Sequence, residues 1–244
     1  MGLRGVELST VSVSYRSVGG LPEVTQEWVA AGIDELAAAD PWRIFRWCLG
    51  QKHYSGTYWS STIAGPVMYE SRLELARLLF ADFDPCVRHV VAQPFLLRAT
   101  VDQKVRKHIP DYLLVTDAGP VVVDVKPSHR LADPKVAFTF DWTRDVVEAR
   151  GWRYEVATEP PVVELENVRF LAGYRRGWLF PLHLLAQLRA CHLGGSTLGE
   201  AFNCLPAEPS RSVRSAVLHL LWRHELMVDV SKPLSGQTQL RRPA

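Results

Sequence analysis

Hydrophobic positions along the chain change period several times, and each change marks an element. Residues 11 to 15 alternate and Gly19-Gly20 follows, which predicts a loose N-terminal arm. Residues 24 to 38, VTQEWVAAGIDELAA, read as an amphipathic, Ala-rich helix that Asp40-Pro41-Trp42 ends, with RIFRWCL as a further apolar turn. From Gly50 to Tyr69, aromatics and hydroxyls lie between glycine and proline breaks, the pattern of a hairpin. From Tyr69 to Phe80, Leu73, Ala76, Leu78, Leu79 and Phe80 supply the apolar positions of a helix. The apolar run from Val87 to Ala99 predicts a strand interrupted at Gln93-Pro94; proline cannot donate into a ladder, so that point belongs at an edge or a bulge. Tyr112 to Val115 and Val121 to Val125 are short β-branched runs around the turn residues Asp117-Ala118-Gly119-Pro120, hence a hairpin. Pro134 precedes a helix through Arg150, and residues 151 to 156 form a last strand. The connection from the Asp124 strand through that helix is a parallel crossover.

Glu159-Pro160-Pro161 is the best boundary in the chain, and beyond it the pattern turns mainly helical. Val168 to Tyr174 and Pro181 to His192 form a helical hairpin, and Ser196 to Glu200 is an N-cap box opening a short helix. Val213 to His224 is the strongest amphipathic helix. Leu226 to Val230, Pro233 to Gly236 and Thr238 to Leu240 then read as a β-wing. Three helices and a wing make a winged-helix arrangement, which binds DNA or protein. Arg211, Arg214, Arg223, Arg241 and Arg242 suit phosphates, and a protein-binding or structural role fits as well. The expectation is an α/β protein of two domains, residues 1–160 and 161–244.

Composition narrows this only a little. A chain of 244 residues, 47% hydrophobic, buries a real core. Its formal net charge of +2 favours nucleic acid weakly, since a purely electrostatic binder is more basic. Cys48, Cys86, Cys191 and Cys204 have no metal-ligand spacing and read as reduced thiols. No signal peptide and no membrane-length apolar run is legible, so a soluble, cytoplasmic protein is expected. Trp28, Trp42 and Trp47 read as core or docking surface.

The chemistry concentrates between Ile109 and Lys126, IPDYLLVTDAGPVVVDVK. Asp111 sits at the mouth of the first strand of the hairpin. On the second strand the period of two sends Asp124 and Lys126 to one face and Val123 and Val125 to the other. Burying these charges costs several kcal/mol, about 3–5 for a broken pair, unless they pair or bind something. Two carboxylates suit Mg2+, for which Mn2+ substitutes, and such ions complete their shells with water and substrate phosphate. The lysine then orients or deprotonates a water and offsets charge developing on a phosphate. An ordinary Asp-Lys pair at the end of a surface hairpin is the alternative.

Pro110-Asp111 followed by Asp124-Val125-Lys126 is similar to the PD-(D/E)xK signature of restriction-endonuclease-like nucleases. With the upstream YWSSTIAGPVMYESRLELARLLFADFDPCV, then Gln93-Pro94, IPDYLLV and VVVDVKP, the chain resembles the TnsA-like endonuclease subunits of heteromeric transposases over roughly residues 52 to 158. The resemblance implies a restriction-endonuclease-like core, a mixed central sheet flanked by helices, with the winged-helix-like domain after it. It implies a Mg2+-dependent endonuclease that cuts the 5' ends of a transposon in double-stranded DNA, with a partner transposase and a AAA+ regulator. Carried over, the catalytic residues are Glu74, Asp111, Asp124 and Lys126, with Gln93 nearby to hold the metal water or scissile phosphate. The metal set is Glu74, Asp111, Asp124 and Val125. Glu70, expected on the same helical face, competes with Glu74. His53, Tyr58 and Trp59 either line a DNA groove or pack their hairpin, and Lys104, Arg106, Lys107 and His108 read as a basic loop contacting the DNA backbone. A stand-alone restriction or repair nuclease, or an inactive DNA-binding scaffold of the same fold, are the alternatives.

Overall fold

A computed structural model describes residues 10–17, 19, 22–43 and 54–243. The chain forms two compact units, Met1–Ala81 with Cys86–Glu159, and Asp82–Pro85 with Pro160–Ala244. It is an α/β protein. Trp47, Cys48 and His53, named above, lie outside the described residues.

The first unit is built around a mixed sheet. Its strands are β5 (Val87–Ala92), β8 (Tyr112–Thr116), β9 (Gly119–Val125) and β10 (Arg153–Ala157), in the order β10-β9-β8-β5. β8 pairs antiparallel with both β5 and β9, while β10 runs parallel to β9 after the crossover through α3 (Pro134–Ala149). β9, GPVVVDV, is covered on both faces, which is why it reads as a continuous apolar run and not as an alternation. Asp133 caps α3 by accepting from the Lys135 N–H at 2.9 Å, and Pro134 at the first helical position presets the turn. α2 (Arg72–Phe83) precedes this sheet in sequence, behind the hairpin β3 (Gly56–Ser60) and β4 (Gly65–Tyr69).

A second, fully antiparallel sheet has the order β2-β1-β6-β7, from β1 (Ser12–Arg16), β2 (Glu23–Glu27), β6 (Leu96–Val101) and β7 (Lys104–His108). One core joins it to the mixed sheet and α3: Val13, Trp28 and Leu97 pack with Leu113, Val122 and Val146. Trp28 anchors this core. Its indole N–H donates to the Val146 carbonyl at 3.1 Å, and the Arg150 guanidinium lies over both its ring and that of Trp152, at 4.5 and 4.1 Å.

Several expectations need correction here. Residues 12–16 are not part of a loose arm: they form β1, an inner, largely buried strand of the second sheet. Residues 24 to 38 are not one helix but β2 followed by the single-turn α1 (Ile33–Ala37), because the strand exposes alternate residues and Gly32 separates the two. The run from Val87 to Ala99 is two strands, β5 and β6, which enter different sheets. Gln93 makes the switch at φ 47°, a left-handed conformation uncommon outside glycine, and Pro94 supplies no donor. The basic segment before Pro110 is an edge strand, β7, not a loop. Tyr69 ends β4 and Glu70 lies before α2, so Glu70 is not on the helix.

The second unit contains α4 (Val162–Ala172), α5 (Leu182–Ala190), α6 (Leu198–Ala201) and α7 (Ser210–Trp222). α7 is amphipathic, with Val213, Ala216, Val217, Leu220 and Leu221 buried and Arg211 and Arg214 exposed. Thr197 is the cap of α6, in a reciprocal box with Glu200. The expected wing of paired strands is absent among the described residues. Two isolated antiparallel bridges, Thr197 with Gln239 and Met227 with Arg241, stand in its place. No described helix is long and apolar enough to cross a membrane, and Cys86, Cys191 and Cys204 are free thiols.

Candidate active site

Strand register brings two acids together. Tyr112 of β8 lies opposite Val123 of β9, so one step further along this antiparallel pair Asp111 comes out opposite Asp124. The Val125 N–H donates to Asp111 Oδ2 at 2.6 Å, which fixes that carboxylate against the end of β9. Lys126 follows, its own N–H held by the Ala157 carbonyl at 2.9 Å. Asp111, Asp124, Val125 and Lys126 line one cleft of about 480 Å3, together with Glu70, Glu74, Lys107, His108 and Arg43.

Glu74 reaches this cleft from the first turn of α2, where it also closes the helix end. The Glu74 N–H donates to Ser71 Oγ at 3.1 Å, the Ser71 hydroxyl donates to Glu74 Oε1 at 2.9 Å, and the Glu70 N–H donates to Oε2 at 2.7 Å. The Ser-x-x-Glu spacing of residues 71 to 74 is the sequence signal for this capping arrangement. Burial pushes the Glu74 carboxyl above its usual range. The two hydrogen bonds from Glu70 and Ser71 oppose that, and so does the charge of Lys126.

Asp124 is the most deeply placed acid, 2% exposed. His108 Nε2 stands 2.9 and 2.8 Å from its two oxygens and the Tyr154 hydroxyl donates to Oδ2; a carboxylate only accepts, so the imidazole presents its N–H there. Phe140 and Trp142 meet the His108 ring edge-on, at 6.3 and 6.2 Å, and hold its orientation. Burial, then the Asp124 charge, drives the Tyr154 hydroxyl far above its ordinary pKa, so it stays a donor. His108 entered the sequence reading only as part of a basic run. Tyr154 entered it only as part of the last strand, with no role at the site, because pairing of β10 with β9 places it and no local pattern reveals that register.

Gln93 does not line the cleft but stands behind it as a clasp. Its N–H donates to the Asp111 carbonyl at 2.8 Å, its carbonyl accepts from the Trp42 N–H at 3.0 Å, Oε1 accepts from the Arg43 N–H at 3.0 Å, and Nε2 donates to Glu70 Oε1. With both ends of its amide engaged, it positions Glu70, Arg43 and the Asp111 backbone. Tyr58 is buried in the β3–β4 hairpin and Trp59 is partly so.

The electrostatics converge on Asp111. Burial raises its carboxyl well above the ordinary value, and the negative charges of Asp124, Glu74 and Glu70 raise it further, with the Val125 N–H acting the other way. No three His, Cys, Asp or Glu side chains among the described residues are grouped so as to hold a metal ion by themselves. Mg2+ does not require such a cage, since it is bound through one or two carboxylates and completes its shell with water and phosphate oxygens. Asp111, facing Asp124 across the register and crowded by like charges, has the hard-oxygen chemistry that such an ion suits. No family model matches the chain, and no curated protein matches it.

Proposed function

We propose that the chain is a metal-dependent DNA endonuclease whose active site is the cleft between Asp111 and Lys126. The observation that carries this reading is the crowding of the Asp111 carboxylate by Asp124 and Glu74 in a cleft that also presents Lys126. Asp111 and Asp124 would hold Mg2+ or Mn2+ with the Val125 carbonyl, and Glu74 would meet the ion's water; the ion, when bound, supplies a polarised water and neutralises phosphate charge. Lys126, three donors on a flexible stem, clamps the scissile phosphate or takes the water's proton. His108 and Tyr154 keep Asp124 oriented. Gln93 keeps Glu70 and Asp111 in register.

The order helix, antiparallel strands, helix, parallel strand in α2, β5, β8, β9, α3 and β10 supports a restriction-endonuclease-like core. The β6–β7 hairpin is inserted between its first two strands and pairs with the N-terminal strands. In the second unit, α5, the Thr197 bridge, α6, α7, the Met227 bridge and the returning residues Gln239 and Arg241 follow the element order of a winged helix with minimal strands. Exposed Arg211, Arg214 and Arg223 suit contact with DNA phosphates. The finer reading is a TnsA-like subunit that cuts the 5' ends of a transposon beside a partner transposase and a AAA+ regulator; it rests on the resemblance over residues 52 to 158. A second reading, an inactive scaffold, is favoured by the engagement of Asp124 with His108 and Tyr154 and of Glu74 with its helix cap.

Cleavage of supercoiled plasmid in Mg2+ or Mn2+ separates these readings. Nicking or linearisation that disappears in Asp124→Ala, with the variant still folded, supports the nuclease. No cleavage by the wild type, alone or with a candidate partner transposase added, supports the scaffold.

A further inference from the structure

Next to the cleft lies a second cavity, of about 760 Å3, that the chemistry above does not use. Its floor is apolar and aromatic, from Phe138 and Trp142 of α3 and Val105 of β7, and its rim is cationic, from Arg106, Lys107 and Lys135. No acidic residue among the described residues lines it. Lys107 belongs to both cavities. Trp142 touches the ring of His108, whose imidazole holds Asp124, so the two spaces share a wall.

Arg106 is the feature that points to a ligand. Its guanidinium lies 4.9 Å from the centre of the Phe138 ring, and its Nε is buried with no hydrogen-bond partner. A buried donor left unmatched destabilises the fold until something accepts from it. In a cavity with three cations and an aromatic floor, the missing partner is an anion attached to a flat apolar body. Such a ligand is a nucleotide: the base stacks against the Phe138–Arg106 pair and the phosphate meets Lys107 and Lys135, with the Arg106 guanidinium turning outward to bring its buried N–H to the anion. β7 is the outer strand of its sheet, and Val105 beside the opening is 69% exposed, so a strand of nucleic acid can approach from solvent.

We infer that this cavity holds one unpaired nucleotide of the DNA strand adjacent to the phosphate being cut. The inference rests on the nuclease reading for the position of that phosphate, though the binding it describes needs no metal and no chemistry. Lifting a base out of a duplex breaks its pairing and stacking, and costs least where the base is already unpaired. DNA carrying a single unpaired base beside the cut site should therefore bind more tightly than fully paired DNA. Stacking on one aromatic side chain sets the preference on the order of tenfold.

The test uses the full chain in EDTA and two labelled duplexes, one fully paired and one with a single bulged 2-aminopurine. Anisotropy should show the bulged duplex binding about tenfold tighter, and 2-aminopurine fluorescence should fall on binding as the base stacks. Phe138→Leu, which keeps an apolar side chain so that α3 stays packed, should abolish both the preference and the quenching while the paired duplex binds as before; Arg106→Gln should abolish both too and, because it also removes a phosphate-facing cation, should weaken binding of both duplexes. Equal affinity for the two duplexes, or variants that retain the preference, would overturn the inference. Free deoxyadenosine monophosphate binding as tightly as the bulged duplex would also overturn it, since the cavity would then be a site for a free nucleotide. Absence of all DNA binding would instead count against the nuclease reading itself; cleavage by a protein that shows no bulge preference would defeat the cavity assignment alone.

Discussion

Gln93 offers the most direct test of how the cleft is assembled. Replacing it with alanine removes two side-chain hydrogen bonds, one from the Arg43 N–H and one to the Glu70 carboxylate, and leaves the backbone in the same left-handed conformation. The neutral bond is worth about 1 kcal/mol and the one to a charged group about 1.5–3, so Gln93→Ala should cost about 2.5–4 kcal/mol. Glycine at the same position loses the same bonds but escapes the Cβ clash, a relief of about 1–2 kcal/mol that its greater freedom in the unfolded chain offsets by about 0.4–1. Gln93→Gly should thus be more stable than Gln93→Ala by roughly 0.5–1 kcal/mol. The chain has two compact units, so a single unfolding curve mixes them. Hydrogen exchange of peptides from residues 87 to 125, followed through a urea series, reports the relevant unit. Both variants should also lose cleavage through kcat more than KM, because Glu70 and the Asp111 backbone lose their tether while the DNA-facing cations remain. An alanine variant within 0.5 kcal/mol of wild type, or one more stable than the glycine variant, would refute the clasp.

Asp111→Asn should stabilise the protein at pH 7 while abolishing cleavage. Folding raises the Asp111 carboxyl above its unfolded value of about 3.9, so the folded state binds the proton more tightly and stability falls as pH rises from about 4 through the folded pKa. The amide removes that loss, so the gain in Tm should be present at pH 7 and shrink toward pH 4; equal gains at both would show that the carboxylate is not destabilised. Glu74→Gln keeps an acceptor for the Glu70 N–H and so preserves the helix cap; cleavage falling by orders of magnitude in this variant without a fall in Tm assigns Glu74 a role at the metal, whereas full activity would reduce it to a cap. Calorimetric titration of Mn2+ should show binding retained in Lys126→Ala and lost in Asp124→Ala, since a protonated ammonium has no lone pair to offer a cation. Loss in both would make the lysine a structural part of the site.

Local pattern determined much of this protein by itself. The β-branched runs on either side of Asp117-Ala118 read as a tight hairpin, Pro134 and Asp133 mark where α3 starts, and the period of two points Asp124 and Lys126 the same way; both line the cleft, although β9 ends at Val125. The parallel crossover to β10 follows from the helix between the strands, because a strand that returns to the same sheet after a helix lies parallel. Those features rest on neighbours within a few residues. What needed the tertiary structure involves partners far apart in the chain. Whether residues 24 to 27 are helix or strand is settled by their pairing with β1, where a β-sheet ladder outweighs a weak helical preference. The break at Gln93 looked like a bulge in one strand, but the left-handed turn there sends β5 and β6 into different sheets, a choice made by the core each strand joins. The hydrogen bonds to Asp124 come from residues 16 positions before it and 30 after it, and only sheet register and the packing of His108 on Phe140 and Trp142 bring them together. A sequence announces which residues can carry charge into a core. Which partner meets each charge there depends on strand order, since burial forces a match and topology decides what is within reach.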